Sequence, residues 1–361
     1  MTDATVHFLV PDGVDDDERV SGGNVYDRRL AETLRARGCD VRMVPVAVTR
    51  ATDAARAMSA LPHDALVLVD GLLAVAASAV LEAQASRLRM VVLAHMVASA
   101  LPGTPGHART AERERVALGA ARRVITTSEW TRSELVARGL AEADRITVAL
   151  PGTSAATAAS GSRSGGHLLS VGAVVRHKGH DVLANALAGM TDLPGWRCTI
   201  VGSLDADPEF ADRVRGVIRS AGLADRVVLT GVLTGGRLED AYRTADLVVA
   251  PSRSESYGMV VADALARGIP VVAAQVGGVP ESIAGSRGGI LTRPDDPVAL
   301  RAVLRRWQVD RGWSAVLEAE AMRSRTVFAT RTWDATATIV TAVLGELRPA
   351  ADVEFERRRT A

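Results

Sequence analysis

Among 43 basic residues the chain carries one lysine, Lys178, set in Val171-Gly172-Ala173-Val174-Val175-Arg176-His177-Lys178-Gly179. A glycine, two permanent cations and a histidine at the start of a helical pattern make an anion site. Free backbone N–H groups and the helix dipole would point at the same place. An ammonium on a flexible stem suits phosphate, although the residue types alone also fit a solvated basic turn. A second cluster, Ser252-Arg253-Ser254-Glu255-Ser256-Tyr257-Gly258-Met259, runs into a helix over Val260–Ala266. Glu255 stands on the loop entering that helix and Asp263 in its second turn. One carboxylate can then reach a ligand at the helix N-terminus while the other flanks it, and Gly258 lets the backbone come close. Spacing alone equally fits a helix-start acid and a solvated face.

Such residues need a scaffold to position them. A length of 361 residues, 47% of them hydrophobic, suggests two domains with sizeable cores. Forty-three basic against 42 acidic residues argue against a general nucleic-acid binder or a polybasic membrane sensor. The arginines at 113, 115, 122 and 123 permit at most a peripheral membrane contact. Cys39 and Cys198 have no C-x-x-C partner, which fits a reducing compartment. No basic region precedes the short apolar run Val6–Val10, and Ala65–Leu81 is broken by Asp70, Gly71 and Ser78 into strand, turn and helix. A cytoplasmic protein is expected; the oligomeric state is not legible.

Short β-branched runs alternate with helical patterns along the chain. Strands are expected at Val6–Val10, Val41–Val44, Ala65–Val69, Met90–Leu93, Val124–Thr126 and Thr147–Ala149. Asn24–Arg37 reads as a helix stopped by Gly38, and Ser128 as the N-cap of another. Thr153–Gly166 (TSAATAASGSRSGG) has no periodic apolar face and reads as a linker or surface loop. The alternation restarts at Leu168–Val171, Cys198–Val201, Val227–Thr230, Leu247–Ala250 and Val271–Ala274. The fold class is α/β, with two doubly wound parallel sheets covered on both faces. Domains are expected at 1–152 and 167–335, joined by linker 153–166 and followed by a helical tail at 336–361. Ligands in such sheets sit at the carboxyl ends of the strands, so the cleft between the domains is the default site. Trp307, Trp313 and Trp333 are expected as packing anchors.

Ser252–Ala273 (SRSESYGMVVADALARGIPVVA) closely resembles the signature of the family 4 glycosyltransferases: Glu, seven residues, Glu, then a helix and Gly-x-Pro-Val-Val. Gly277-Gly278-Val279-Pro280-Glu281 continues it, and Val171–Leu187 is similar to the family's Gly-Arg-x-x-x-x-Lys-Gly segment. Ala245-Asp246-Leu247 before Pro251-Ser252 fits as well. Ser21-Gly22-Gly23-Asn24 resembles the N-terminal glycine loop, and His95 falls where the family has a histidine by the donor sugar. The likeness covers nearly the whole chain and is weakest between residues 45 and 120.

The resemblance implies a GT-B fold and retaining transfer of a sugar from a nucleotide-diphosphate donor, with UDP- and GDP-sugars leading. It implies neither metal nor cofactor. Lys178 would hold the diphosphate, Glu255 the sugar hydroxyls and Asp263 the ribose. The backbone of Gly258, Met259 and Val260 would meet phosphate, as would Gly22 and Gly23. His95 would bond the sugar, and cleft closure would bring it and Glu255 around one ring. Cations and helix N–H groups would stabilise the departing diphosphate. The first domain would select the acceptor, a small metabolite, a glycan or a lipid headgroup. Two positions depart from the pattern. Ala173 replaces an arginine, for which Arg176 or His177 is expected to substitute, and Asp263 replaces a glutamate. A nucleotide-sugar epimerase or hydrolase of the same fold, or a non-catalytic nucleotide-sugar-binding subunit, are the rival readings. Asp205-Ala206-Asp207 is expected to be a loop and helix start, not a manganese motif. The seven histidines show no zinc spacing, and Gly-x-Gly-x-x-Gly is absent, which disfavours a dinucleotide dehydrogenase.

Overall fold

The computed structural model describes residues 5–16, 18, 20–101, 106–154 and 156–347. Within them the chain forms two compact units. The first comprises the N-terminal part to Gly152 together with Trp333 onward; the second is Thr153–Thr332 with the short segment Asp16–Ser21.

The first unit contains β1 (Val6–Pro11), β2 (Val41–Val46), β3 (Leu66–Asp70), β4 (Arg89–Ala94), β5 (Arg123–Thr126) and β6 (Ile146–Val148). Its helices are α1 (Gly22–Ala36), α2 (Ala51–Ser59), α3 (Gly71–Ala76), α4 (Ser78–Gln84), α5 (His107–Ala120) and α6 (Glu129–Ala137). All pairings are parallel, in the order β2-β1-β3-β4-β5-β6. Every residue of β3 is buried, as a strand covered on both faces requires. α1 stops as its sequence implies: Gly38 takes φ +81, and the N–H of Cys39 returns to the Leu34 carbonyl. Ser128 caps α6 by accepting from the Thr131 N–H.

The second unit contains β7 (His167–Val171), β8 (Arg197–Val201), β9 (Val227–Leu229), β10 (Leu247–Ala250), β11 (Val271–Ala274) and β12 (Gly289–Thr292). Its helices are α7 (His180–Ala188), α8 (Pro208–Ser220), α9 (Gly235–Arg243), α10 (Met259–Ala266), α11 (Val279–Ile283), α12 (Pro297–Val309) and α13 (Arg311–Phe328). This sheet is also parallel, in the order β12-β11-β10-β7-β8-β9. Its core gathers Leu168, Ile200, Phe210, Val249, Val272 and Trp307. Asp207 caps α8 from its side chain with Pro208 in the first helical position, so Asp205-Ala206-Asp207 is a loop and helix start.

Three features differ from the sequence expectation. β12 escapes notice because the Gly288-Gly289 pair at its start reads as a turn. Thr153–Gly166 is a strap on the second unit rather than a free tether. Along it Ser160 and Gly161 donate to the Arg243 carbonyl, and Ser162 donates to Asp246. The last helix, α14 (Trp333–Glu346), belongs to the first unit. Trp333 meets Tyr26 of α1 edge-on at 5.2 Å, and Thr336 donates to the Leu150 carbonyl. The boundary expected after residue 335 therefore falls at Trp333; residues 348–361 of the expected tail lie outside the described residues. Among the described residues no helix is long and apolar enough to cross a membrane.

Candidate active site

In the second unit, β7 and β10 are neighbours although α7, β8, α8, β9 and α9 separate them in sequence. The connections leaving them run to opposite sides, so their carboxyl ends form a topological switch point. A small cavity opens there, and Lys178, Glu255, Gly258 and Val260 line it together with Ser170, His180 and Ser252. Lys178 ends the single turn Arg176–Lys178 before α7, and its Nζ lies 2.6 Å from Glu255 Oε1. Ser252 Oγ donates to the same carboxylate oxygen at 2.9 Å. Both side chains keep partial exposure, 26% for Lys178 and 17% for Glu255.

Backbone packing fixes this pair. Gly179 has φ +70, and a Cβ there would run into the Pro251 carbonyl, so only glycine lets the start of α7 lie against the loop after β10. Gly277 plays the same part from the other side: a Cβ would collide with the Glu255 carbonyl, and the N–H of Gly278 donates to that oxygen. Arg253 completes the frame with bonds to both Asp181 oxygens at 2.8 and 3.0 Å and to Asp295 at 2.6 Å. It ties the Ser252–Ser256 loop to α7 and to the turn after β12. Gly258, in the left-handed conformation, leads into α10. Met259 and Val260 are the first residues of that helix, where N–H groups lack an acceptor within it.

Of the two candidates to replace the missing arginine, Arg176 is exposed, and its carbonyl accepts from Arg253. His177 is half-buried and feels both members of the Lys178–Glu255 pair. Burial, then Lys178, lowers its pKa, with Glu255 opposing, so it is a neutral polar group near pH 7. His180, beneath the cavity, is fully buried with an unpartnered Nδ1. Burial, with Lys178 adding to it, lowers its pKa to about 3. Asp263 is a third exposed and sits 3.9 Å from the Arg267 guanidinium; it, Met259 and Arg176 lie outside the cavity lining.

The first unit assembles a different group. Gly22 and Gly23 open α1, and the space of a Cβ on Gly23 would end 3.3 Å from the edge of the His95 ring. His95 follows β4, and its Nε2 is 2.8 Å from Asp27 Oδ1 of α1 and 3.4 Å from Asp70 Oδ2 at the end of β3. Asp70 also caps α3 by accepting from the Leu73 N–H. All three side chains are buried: His95 is 8% exposed, Asp27 and Asp70 nearly sealed. Burial raises the Asp27 carboxyl to about 6 against the opposing pull of His95. Burial disfavours a charge on His95, yet Asp27 and then Asp70 outweigh it and raise its pKa.

Asp27, Asp70, His180, Arg253 and Ser252 were not singled out from sequence. Arg253 stands two residues before Glu255 in the signature run, and a cation there was the available signal. Asp27 reads as one more polar position of an amphipathic helix. Only the fold shows that it faces inward.

Residues 165–308 match the family described as Glycosyl transferases group 1. The chain is 33% identical over 279 residues to the D-inositol 3-phosphate glycosyltransferase of Acidothermus cellulolyticus, covering 71% of this chain and 58% of that protein. It is 36% identical over 200 residues to the enzyme of that name from Pseudarthrobacter chlorophenolicus, covering 51% and 46%. The matched stretches thus span about half the length of these curated relatives. Among solved structures, sucrose-phosphate synthase from Thermosynechococcus elongatus superposes with a TM-score of 0.79 at 21% identity, over 95% of this chain and 99% of that one. Anabaena HepE in complex with UDP and glucose gives 0.74 at 17% identity, over 95% and 100%. The fold is therefore GT-B, the two-unit α/β architecture of glycosyltransferases. Within that class, residues 165–308 carry the Glycosyl transferases group 1 match, in line with the resemblance to the family 4 glycosyltransferases.

Proposed function

We propose that this protein transfers a hexose, with retention and without a metal, from a nucleotide-diphosphate sugar to a hydroxyl acceptor. The observation that carries the reading is the Lys178–Glu255 pair on the cavity at the β7/β10 switch point, beside the start of α10. A partly exposed ion pair contributes only about 0.2–1 kcal/mol. Diphosphate can therefore take the ammonium, and sugar hydroxyls the carboxylate, at small cost. As bonding to the leaving diphosphate breaks, Lys178 and the first N–H groups of α10, from Gly258 to Val260, meet the growing negative charge. His177, uncharged, adds a hydrogen bond where the family pattern has an arginine. Asp263 is assigned to the ribose hydroxyls, and Gly22, Gly23 and His95 to the phosphates and the sugar.

UDP-sugars lead the donor candidates, since HepE was solved with UDP and with UDP-glucose. D-inositol 3-phosphate is the first acceptor to test because the relatives named above bear that activity in their names. The experiment is incubation with UDP- or GDP-sugars and this acceptor, followed by mass and anomeric analysis of the product. A glycosylated acceptor with the donor's anomeric configuration supports the reading. Isomerised donor would favour an epimerase, free sugar alone a hydrolase, and donor binding without turnover a non-catalytic subunit.

A further inference from the structure

We propose that Asp27 and Asp70 are positioning residues that hold His95 as an imidazolium with Nε2–H turned inward and Nδ1–H presented outward. The inference rests on the reading above, in which His95 bonds the donor sugar, and it assigns to two further residues the task of making His95 a charged donor.

The geometry leaves His95 little choice. Its Nε2 faces Asp27 Oδ1 at 2.8 Å and Asp70 Oδ2 at 3.4 Å. The ring is gripped on its other sides by Tyr26, edge-on with centroids 5.2 Å apart, and by the close approach of Gly23. The Thr127 hydroxyl donates to the His95 carbonyl and fixes the backbone. Nδ1 makes no hydrogen bond to any described residue, and it is not among the buried polar atoms that lack a partner. Nδ1 is thus the nitrogen open to a ligand.

Charge decides the protonation state. Two carboxylates and one imidazole share a nearly sealed space, and Asp27 Oδ2 has no partner at all. With His95 neutral the cluster would hold two uncompensated negative charges, which burial makes costly. The raised His95 pKa agrees. The titratable groups facing the ring among the described residues are Asp27 and Tyr26 from α1 and Asp70 from β3; Tyr26 donates its hydroxyl to the Ala149 carbonyl and stays neutral. A charged donor makes a hydrogen bond roughly twice as strong as a neutral one, which suits an oxygen of the transferring sugar. The three side chains are close enough to surround a cation. Asp70 Oδ1 and His95 Nε2 are, however, already engaged within the protein.

The test is nitrogen-15 NMR of histidine-labelled protein, with the His95 signals assigned by His95→Gln, alongside the pH profile of kcat/KM. In wild type both ring nitrogens should be protonated at pH 7 and titrate above the ordinary 6.5. Asp27→Asn should lower that midpoint by at least one pH unit. Activity that needs Nδ1–H is present below the His95 pKa and lost above it. The alkaline limb of kcat/KM should therefore move down by the same interval, with donor KM changed less than threefold. A neutral His95 at pH 7, or an Asp27→Asn titration like wild type, overturns the proposal, and this is readable without any turnover. A shifted titration with an unmoved pH profile overturns the positioning role. Zinc or manganese perturbing the His95 signals at one equivalent would show a cation site instead and also overturn it. Absence of transfer by wild type with an imidazolium His95 in place would count against the function reading alone. Should Asp27→Asn fail to fold, Asp70→Asn, whose amide oxygen can still cap α3, carries the same readouts.

Discussion

The two units place a basic side chain beside a carboxylate at the carboxyl ends of adjoining parallel strands, yet they do it in opposite environments. Lys178 and Glu255 are partly solvated, held by glycines that let backbones touch and by the Arg253 bonds around them. His95, Asp27 and Asp70 are buried, and their charges answer to one another. A solvated pair exchanges partners readily and suits a site that must accept and release a charged ligand. A buried set is costly to disturb and suits a fixed donor. Stability and ligand affinity should therefore respond oppositely to substitution in the two places.

The largest effect should come from Asp27→Ala. Removing one partner of a buried ion pair costs about 3–5 kcal/mol, so the urea midpoint of unfolding should fall sharply. A midpoint like wild type would mean that the cluster carries no compensated charge. Lys178→Arg should leave the unfolding free energy within about 1 kcal/mol of wild type, as expected for a partly exposed pair, while turnover falls at least tenfold. The guanidinium keeps the charge but is a wider planar fork than the ammonium. Near-normal turnover by this variant would make the single lysine an accident of composition.

Acid should then separate the units further. His180 has a folded pKa of about 3 against an ordinary 6.5, so its contribution to stability is complete above 6.5 and is lost as pH falls from 6.5 toward 3. Melting temperature should decline over that window, and His180→Asn should flatten the decline. An identical slope in the variant would show that other groups govern it. Smallest of all is the contrast between Arg176→Ala and His177→Ala, followed by donor affinity. His177 faces the Lys178–Glu255 charges and should matter more, with Arg176→Ala changing affinity less than threefold. The reverse order would return Arg176 to the role of the missing arginine.

Much of this was legible in the chain itself. Eleven of the twelve strands among the described residues overlap the short apolar runs expected as strands, and Lys178, Glu255 and Gly258 were found by their unusual setting before the fold brought them together. What escaped has a physical reason in each case. The two halves look alike in sequence, but their sheets are ordered differently: β2-β1-β3 in the first, and β9-β8-β7-β10 in the second. Strand order depends on which face each crossover helix covers, and local periodicity does not record that. The return of α14 to the first unit rests on Trp333 meeting Tyr26 more than 300 residues away along the chain. Asp27 and Asp70 were hidden for the same reason, since one looks like a helix surface residue and the other like a turn. Thr153–Gly166 lacked an apolar face because its backbone, through bonds to Arg243, holds it in place.

The central claim is that Lys178 and Glu255 frame a site for a nucleoside diphosphate. Isothermal titration of the protein with UDP and with GDP tests it most directly, in wild type and in Lys178→Met. The account predicts saturable binding of at least one nucleotide, weakened tenfold or more in the variant while its melting temperature stays unchanged. No binding of either nucleotide at millimolar concentration, or equal affinity in the variant, would contradict it.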